Sequence, residues 1–185
     1  MIVVGIDLAA SEKRPTGFCI LKNNKAKTFL LFLDNEIVSQ TIKVKPDIIA
    51  IDAPLALPKK GKSLRECDKE LLKLGIKFFP INLKSMKELT KRGIRLRKIF
   101  ERNGLKVIET YPGAAQDILK IPRKKKGIEK LRKALIKIGI KGIKNKISEH
   151  ELDAITSAYV GKLYLENRHT ALGDPKEILM ILPKV

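Results

Sequence analysis

Three acidic residues each end an apolar run that has the pattern of a buried strand. Asp7 ends MIVVGID, Asp52 ends DIIAID and Glu109 ends LKVIE. The run DIIAID is apolar nearly throughout, which indicates a strand that is buried on both faces and has a parallel neighbour. An acid at the end of a buried strand is costly unless a nearby group stabilises its charge. These runs predict an α/β sheet that carries carboxylates at one edge.

The order of the elements along the chain predicts how this sheet is built. Strand patterns cover residues 2–7, 17–22 and 27–33, which form an N-terminal meander, and then 47–52, 105–109 and a late run at 177–183. Helical patterns cover residues 34–43, 63–74, 86–102, 114–119, 128–138 and 148–166. A meander that continues into crossover connections makes a mixed sheet with helices on its faces. Right-handed crossovers place the first, fourth and fifth strands side by side, so we expect their terminal acids at one edge.

Three helix starts have candidate N-cap residues. Ser148 with Glu151, and Ser63 with Glu66, have the spacing of a capping box, and Asp34 is a further candidate N-cap residue. We therefore expect helices to begin after these three caps.

Length and composition indicate one globular domain over residues 1–185. Hydrophobic residues make up 44% of the 185 residues, and no apolar run approaches the ~20 residues that span a bilayer. The chain starts directly with a strand pattern and has no basic targeting segment, so we expect a cytoplasmic protein without a membrane partner.

The net charge favours a polyanionic partner. Lys and Arg number 39 against 20 Asp and Glu, which gives +19 and would attract DNA or RNA. Basic loops, among them the one with Lys59 and Lys60, would hold phosphates if they flank the acidic edge. They fall at residues 59–62, 123–126 and 141–146. The alternative is that these loops are simply solvated, and that the charge reflects the Lys-rich bias of hyperthermophile proteins.

Asp7 and Asp52 are the strongest candidates for a metal site. On adjacent parallel strands their carboxylates would lie a few ångströms apart and repel, unless one is protonated or a cation binds between them. Two hard oxygen donors on a rigid sheet suit Mg²⁺ or Mn²⁺ better than Zn²⁺. The alternative is that each aspartate caps the loop that follows its strand.

Asp153 lies in the last helical pattern, HELDAITSAYVGKLYLE, next to the apolar stripe of that helix. His150 precedes it by three positions and falls on the same side. The small residues Ala154, Ser157, Ala158 and Gly161 would let the helix approach the sheet closely, so that the carboxylate reaches the strand edge. The alternative is an acid that the helix dipole stabilises in the first turns.

The ordered motifs resemble a known family. VGIDLA, IDAPLALP with RECD, ETYP and HELDAITSA together resemble the domain-of-unknown-function family numbered 429, predicted nucleases of ribonuclease H-like fold. The HxxDA helix is also similar to the terminal helix of Holliday-junction resolvases. The resemblance implies a five-stranded mixed sheet of order 3-2-1-4-5, with strand two antiparallel and helices on both faces. It also implies a metal-binding cluster of Asp7, Asp52 and Asp153.

Other residues match motifs that are typical of this family. They are Glu109, Arg65 and Asp68. Arg65 and Asp68 lie three positions apart on a predicted helix, where Arg65 would bind a substrate phosphate while Asp68 orients it. The alternative is a surface ion pair, which contributes little.

These features lead to three hypotheses for the function. The first is a metal-dependent nuclease that cleaves DNA or RNA, in which Asp7, Asp52 and Asp153 hold Mg²⁺ or Mn²⁺ and His150 or Glu109 assists proton transfer. The second is a nucleic-acid-binding protein that kept the fold but lost catalysis. The third, a phosphotransferase of the actin and sugar-kinase type, is disfavoured because DLAASE lacks the glycine of the phosphate loop in those proteins.

Overall fold

A computed structural model describes residues 1–184 and contains a seven-stranded mixed sheet. The strands are β1 (Ile2–Asp7), β2 (Thr16–Lys22), β3 (Lys25–Leu31), β4 (Ile48–Asp52), β5 (Val107–Thr110), β6 (His169–Leu172) and β7 (Met180–Pro183). The helices are α1 (Asp34–Val44), α2 (Glu66–Lys73), α3 (Lys84–Arg102), α4 (Pro112–Ile118), α5 (Ile128–Lys137) and α6 (Glu149–Leu165), with a 3₁₀ turn at Lys124–Lys126.

The strand order is β3-β2-β1-β4-β5-β7-β6. Strands β1, β4, β5 and β7 are parallel, whereas β2 runs antiparallel to β1 and β6 antiparallel to β7. The predicted order 3-2-1-4-5 with an antiparallel second strand is therefore confirmed. The sheet has two strands more than the five expected. The late strand, β7, pairs with β5, and a short strand that the sequence did not predict, β6, pairs with β7 at the edge.

The sheet has an apolar core on each face. On one face α4, α5 and α6 pack over Val3, Ile48, Ala50 and Ile108, and on the other face α1 and α3 pack over Val4, Ile6, Ile49 and Ile51. Residues Ile48 to Ile51 of β4 are fully buried, which explains why DIIAID lacks the alternation of a half-exposed strand. No helix in residues 1–184 is long and apolar enough to cross a membrane.

Helix α6 lies against the centre of the sheet and is buried on nearly all sides. A Cβ built on Gly5 would lie 2.1 Å from the Ala154 carbonyl oxygen and 2.5 Å from the Ala158 amide nitrogen. A Cβ on Gly17 would lie 2.0 Å from the His150 carbonyl oxygen. The predicted close approach of this helix is therefore confirmed, and it depends on glycines of β1 and β2 as well as on the small residues of α6.

The helix starts agree with the sequence only in part. Ser148 caps α6 as predicted: its Oγ accepts from Glu151 N at 3.2 Å, and Glu151 Oε2 accepts from Ser148 N at 3.0 Å. The prediction that Ser63 caps α2 is wrong. The helix begins at Glu66 after the N-cap Arg65, whose backbone N donates to Asp68 Oδ2. Asp34 is the first residue of α1 rather than its cap, and its carboxylate pairs with Arg92 and Arg95.

The contact at Gly5 gives a stability prediction. Gly5→Ala should lower the free energy of unfolding by more than about 3 kcal/mol, because the methyl group collides with helix backbone that cannot move without lifting α6. Gly104→Ala is the control, because a Cβ there meets nothing within 4 Å. Its only effect should be the strain of a left-handed backbone, which lowers the free energy of unfolding by about 1 kcal/mol. Urea unfolding of both variants checks this, and equal losses would contradict the prediction.

Candidate active site

Asp7 and Asp52 occupy matching positions at the ends of adjacent parallel strands. They are register partners in the β1–β4 pair. Because side chains alternate along a strand, both lie on the face that α6 covers, in line with Gly5 and Ala50. The register therefore places the carboxylates of Asp7 and Asp52 side by side, as the sequence predicts.

The first turns of α6 bring two further side chains to this pair. His150 Nδ1 lies 2.7 Å from Asp7 Oδ2, a hydrogen bond that raises the pKa of His150 above its ordinary value. Asp153 is 5% exposed, and its Oδ1 accepts a hydrogen bond from Gln116 Nε2 of α4 at 2.8 Å. The structure thus brings together Asp7, Asp52, His150 and Asp153, as the strand ends and the HxxD spacing predict.

The carboxylates of this cluster disfavour one another's charge. The pKa of Asp52 lies well above the usual value for an aspartate, because its carboxyl is removed from water and faces the charges of Asp7 and Asp153. Burial and the charge of Asp7 likewise raise the pKa of Asp153. The repulsion within the cluster is therefore relieved either by protonation of a carboxyl or by a nearby cation.

Lys124 supplies one cation, and it is not among the residues that the sequence predicts for the site. Its Nζ lies 2.9 Å from Asp153 Oδ2 and 3.6 Å from Glu149 Oε2. Burial lowers the pKa of Lys124, but its attraction to Asp153 and Asp7 outweighs that effect and raises it overall. Lys124 belongs to the basic run at 123–126, and nothing in that run distinguishes it from its neighbours, so the sequence carried no signal for it.

Two buried hydroxyl groups on the elements of the site have no partner among the described residues. Thr110 on β5 is the register partner of Asp52, so its Oγ1 lies on the same face of the sheet as the Asp52 carboxyl. Ser157 Oγ lies one helical turn beyond Asp153. Buried hydroxyls without a partner are uncommon, and each leaves an acceptor unused on an element that borders the cluster.

The chemistry of these residues fits a hard divalent cation. Three carboxylates suit Mg²⁺ or Mn²⁺, and the unused hydroxyl oxygens can accept hydrogen bonds from the waters that Mg²⁺ retains. In the geometry described for residues 1–184, however, no three His, Cys, Asp or Glu side chains converge to hold a metal ion. In this geometry Asp153 faces Lys124 and Gln116, and Asp7 faces His150.

Glu109 lies at the same sheet edge but on the opposite face. Its register partner is Ile51, whereas Asp52 pairs with Thr110, so Glu109 projects away from the aspartates. There its Oε2 accepts from Leu55 N at 2.7 Å. Glu109 thus lies at the predicted edge, but the suggested role of Glu109 in proton transfer beside the aspartates does not fit its position on the other face, because strand β5 ends one residue beyond Glu109.

Arg65, Asp68 and Glu109 form a buried ion network on that opposite face. The guanidinium of Arg65 makes two hydrogen bonds to each carboxylate, at 2.7 to 3.2 Å. Each of the three side chains belongs to a residue that is at most 2% exposed. The surface ion pair is thus excluded, and the guanidinium is committed to carboxylates rather than open to a substrate phosphate.

Lys59 and Lys60 lie in the exposed loop between β4 and α2. Lys59 Nζ is 2.6 Å from Asp174 Oδ2, and its backbone N donates to Glu177 Oε1 at 3.3 Å. The charge of Lys59 is therefore partly neutralised.

Comparison with known proteins places the chain in a family. Residues 5–177 match the model of a family described as "Protein of unknown function (DUF429)". The chain belongs to the DUF429 family. A search of curated proteins found no match.

Solved structures of Thermus thermophilus RuvC share the fold of this DUF429 protein. RuvC in complex with a Holliday junction substrate superposes with a TM-score of 0.57 at 14% identity, covering 90% of this chain and 96% of RuvC. A second structure of RuvC gives a TM-score of 0.55 at 16% identity, with the same coverage. The fold is therefore the RuvC-like form of the ribonuclease H fold, as the resemblance implied.

Repulsion within the cluster gives a second prediction. Asp52→Asn should raise the free energy of unfolding in EDTA by about 1 kcal/mol, because it removes one of three mutually repelling carboxylates. Glu88→Gln on the exposed face of α3 is the matched control and should change it by less than about 0.5 kcal/mol. Chemical unfolding at neutral pH measures both, and a destabilised Asp52→Asn protein would contradict the prediction.

The buried network gives a third prediction. Arg65→Met should cost about 3–5 kcal/mol of stability, because it leaves Asp68 and Glu109 buried without a cation. Lys91→Met breaks the exposed pair with Glu88 and should cost less than about 1 kcal/mol. If guanidinium chloride unfolding finds similar losses for the two variants, the network does not hold this part of the protein together.

Proposed function

We propose that this protein is a metal-dependent nuclease that hydrolyses phosphodiester bonds in DNA or RNA. The observation that carries the proposal is the pairing of Asp7 with Asp52 on adjacent parallel strands, with Asp153 delivered beside them by α6. The RuvC-like fold supports it, since the RuvC structure is a complex with a Holliday junction substrate. Branched DNA is therefore the first substrate class to test.

In this proposal Asp7, Asp52 and Asp153 hold Mg²⁺ or Mn²⁺. A bound divalent ion would make an attacking water more acidic and would neutralise charge on the phosphate. The site residues do the rest. Asp7 fixes the ring of His150 through Nδ1, so that the imidazole, once it has lost its proton, can accept a proton from the attacking water.

The basic residues around the edge would hold the nucleic acid. The exposed lysines of the 124–126 turn and the loop with Lys60 carry charges that phosphates can neutralise. In the proposed site Glu109, Arg65 and Asp68 shape the loop after β4, because Glu109 binds Leu55 N just beyond Asp52. They act on the fold of the site rather than on the substrate.

A second candidate is a nucleic-acid-binding protein without catalysis. It is favoured by the ion pairs of Asp153 with Lys124 and of Asp7 with His150, which already balance charge in the cluster as described. This candidate predicts nucleic-acid binding that is unchanged by EDTA and by Asp7→Asn.

Cleavage assays separate the two candidates. The purified protein should cleave at least one of a panel of four-way junctions, duplex DNA, single strands and RNA–DNA hybrids in Mg²⁺ or Mn²⁺, and not in EDTA. Asp7→Asn should reduce the rate by about 10²–10³-fold or more, because it removes a carboxylate that would hold the metal ion, and with it the charge that neutralises the reacting phosphate.

Glu88→Gln, which removes a negative charge far from the cluster, should cleave at the wild-type rate and serves as the control. Absence of cleavage on every substrate with either metal would reject the nuclease, and unaltered binding in EDTA would then favour the second candidate.

A further inference from the structure

One lysine of the basic turn points into the acidic cluster while the next points out. Lys124 Nζ contacts Asp153 at 2.9 Å, and its side chain is 36% exposed. Lys125 follows it in the same 3₁₀ turn, is exposed, and makes no ion pair within residues 1–184. The turn therefore presents one ammonium group to the site and leaves another in solvent.

The ammonium of Lys124 pairs with the carboxylate of Asp153, which a divalent ion at the site would also bind. Asp153 Oδ1 is already bound by Gln116, and Oδ2 is bound by Lys124. A metal ion at Asp153 would lie within a few ångströms of the ammonium, and two cations at that separation repel strongly in a partly buried site. The ammonium of Lys124 and a metal ion therefore cannot both bind the carboxylate of Asp153 tightly.

Lys124 can leave without disturbing the core. Its stem is a flexible chain of four carbons, part of its surface already faces water, and the 3₁₀ turn has no buried residues. Moving outward by the length of its stem keeps the ammonium at the mouth of the acidic cluster, where a substrate phosphate would lie.

We propose that Lys124 occupies the metal's place at Asp153 in the free protein and turns to the substrate phosphate when a metal ion binds. This inference rests on the proposed function and adds a further substrate-contacting residue to it. It also couples the two ligands, because a metal ion releases the cation that the nucleic acid then uses.

The test compares Lys124→Gln with Lys125→Gln, which changes the neighbouring exposed lysine in the same way. Isothermal titration with Mn²⁺ alone should give about tenfold tighter binding to Lys124→Gln than to the wild type, because the competing cation is gone. Lys125→Gln should stay within about twofold of the wild type. Circular dichroism and thermal unfolding establish that both variants are folded.

The second readout is nucleic-acid binding without cleavage. Fluorescence polarisation with a labelled four-way DNA junction, in Ca²⁺ and in EDTA, should show that Ca²⁺ strengthens binding of the wild type and of Lys125→Gln. Lys124→Gln should show a smaller gain, since the metal ion still neutralises phosphate charge but the released ammonium is missing. Retention of the full gain would overturn the substrate contact.

The failures are distinguishable. If the wild type binds Mn²⁺ and Lys124→Gln binds it no more tightly, the inference falls while the metal site stands. If neither protein binds Mn²⁺, the metal site falls and the inference with it. If Lys124→Gln alone binds Mn²⁺, the lysine blocks the site, which supports the competition directly.

Discussion

The packing of α6 against β1 and β2 without intervening side chains is what makes the acidic cluster possible. At Gly5 and Gly17 the sheet offers no Cβ, so helix backbone takes the space that side chains would otherwise fill. The gain is a short distance between elements that are far apart in sequence. His150 thereby reaches Asp7, and Asp153 lies beside Asp52. A larger spacing between helix and sheet would prevent both contacts.

That short distance concentrates like charge, and the rest of the site compensates for it. Burial and mutual repulsion raise the pKa values of Asp52 and Asp153, so the cluster costs free energy unless cations stand near it. His150 and Lys124 provide positive charge at Asp7 and Asp153. A site that is unfavourable without a cation is also one that binds a cation well, since the same repulsion is relieved on binding.

The sequence predicted the layout of the sheet and, for reasons that are local, four of the five side chains that meet at the candidate site. Apolar runs that end in acids mark Asp7 and Asp52, and a capped helix with HxxD spacing marks Asp153 with His150. It could not predict that Glu109 faces the other side, because that depends on a one-residue difference in register between β4 and β5. Nor could it single out Lys124, since which lysine of a basic run turns inward is decided by tertiary packing.

The two faces of the sheet edge illustrate how one pattern serves two purposes. Asp52 and Glu109 both end buried strands, yet Glu109 meets a guanidinium whose hydrogen-bonding geometry matches its carboxylate, and Asp52 meets carboxylates. A carboxylate bound by Arg65 has its charge neutralised permanently and holds the loop at Leu55. The carboxyl of Asp52 faces other carboxylates, which disfavour its charge and raise its pKa, so a cation that binds there relieves repulsion. The proposed metal site therefore lies on the α6 face, whereas the Arg65 network, on the opposite face, supports the loop that follows Asp52.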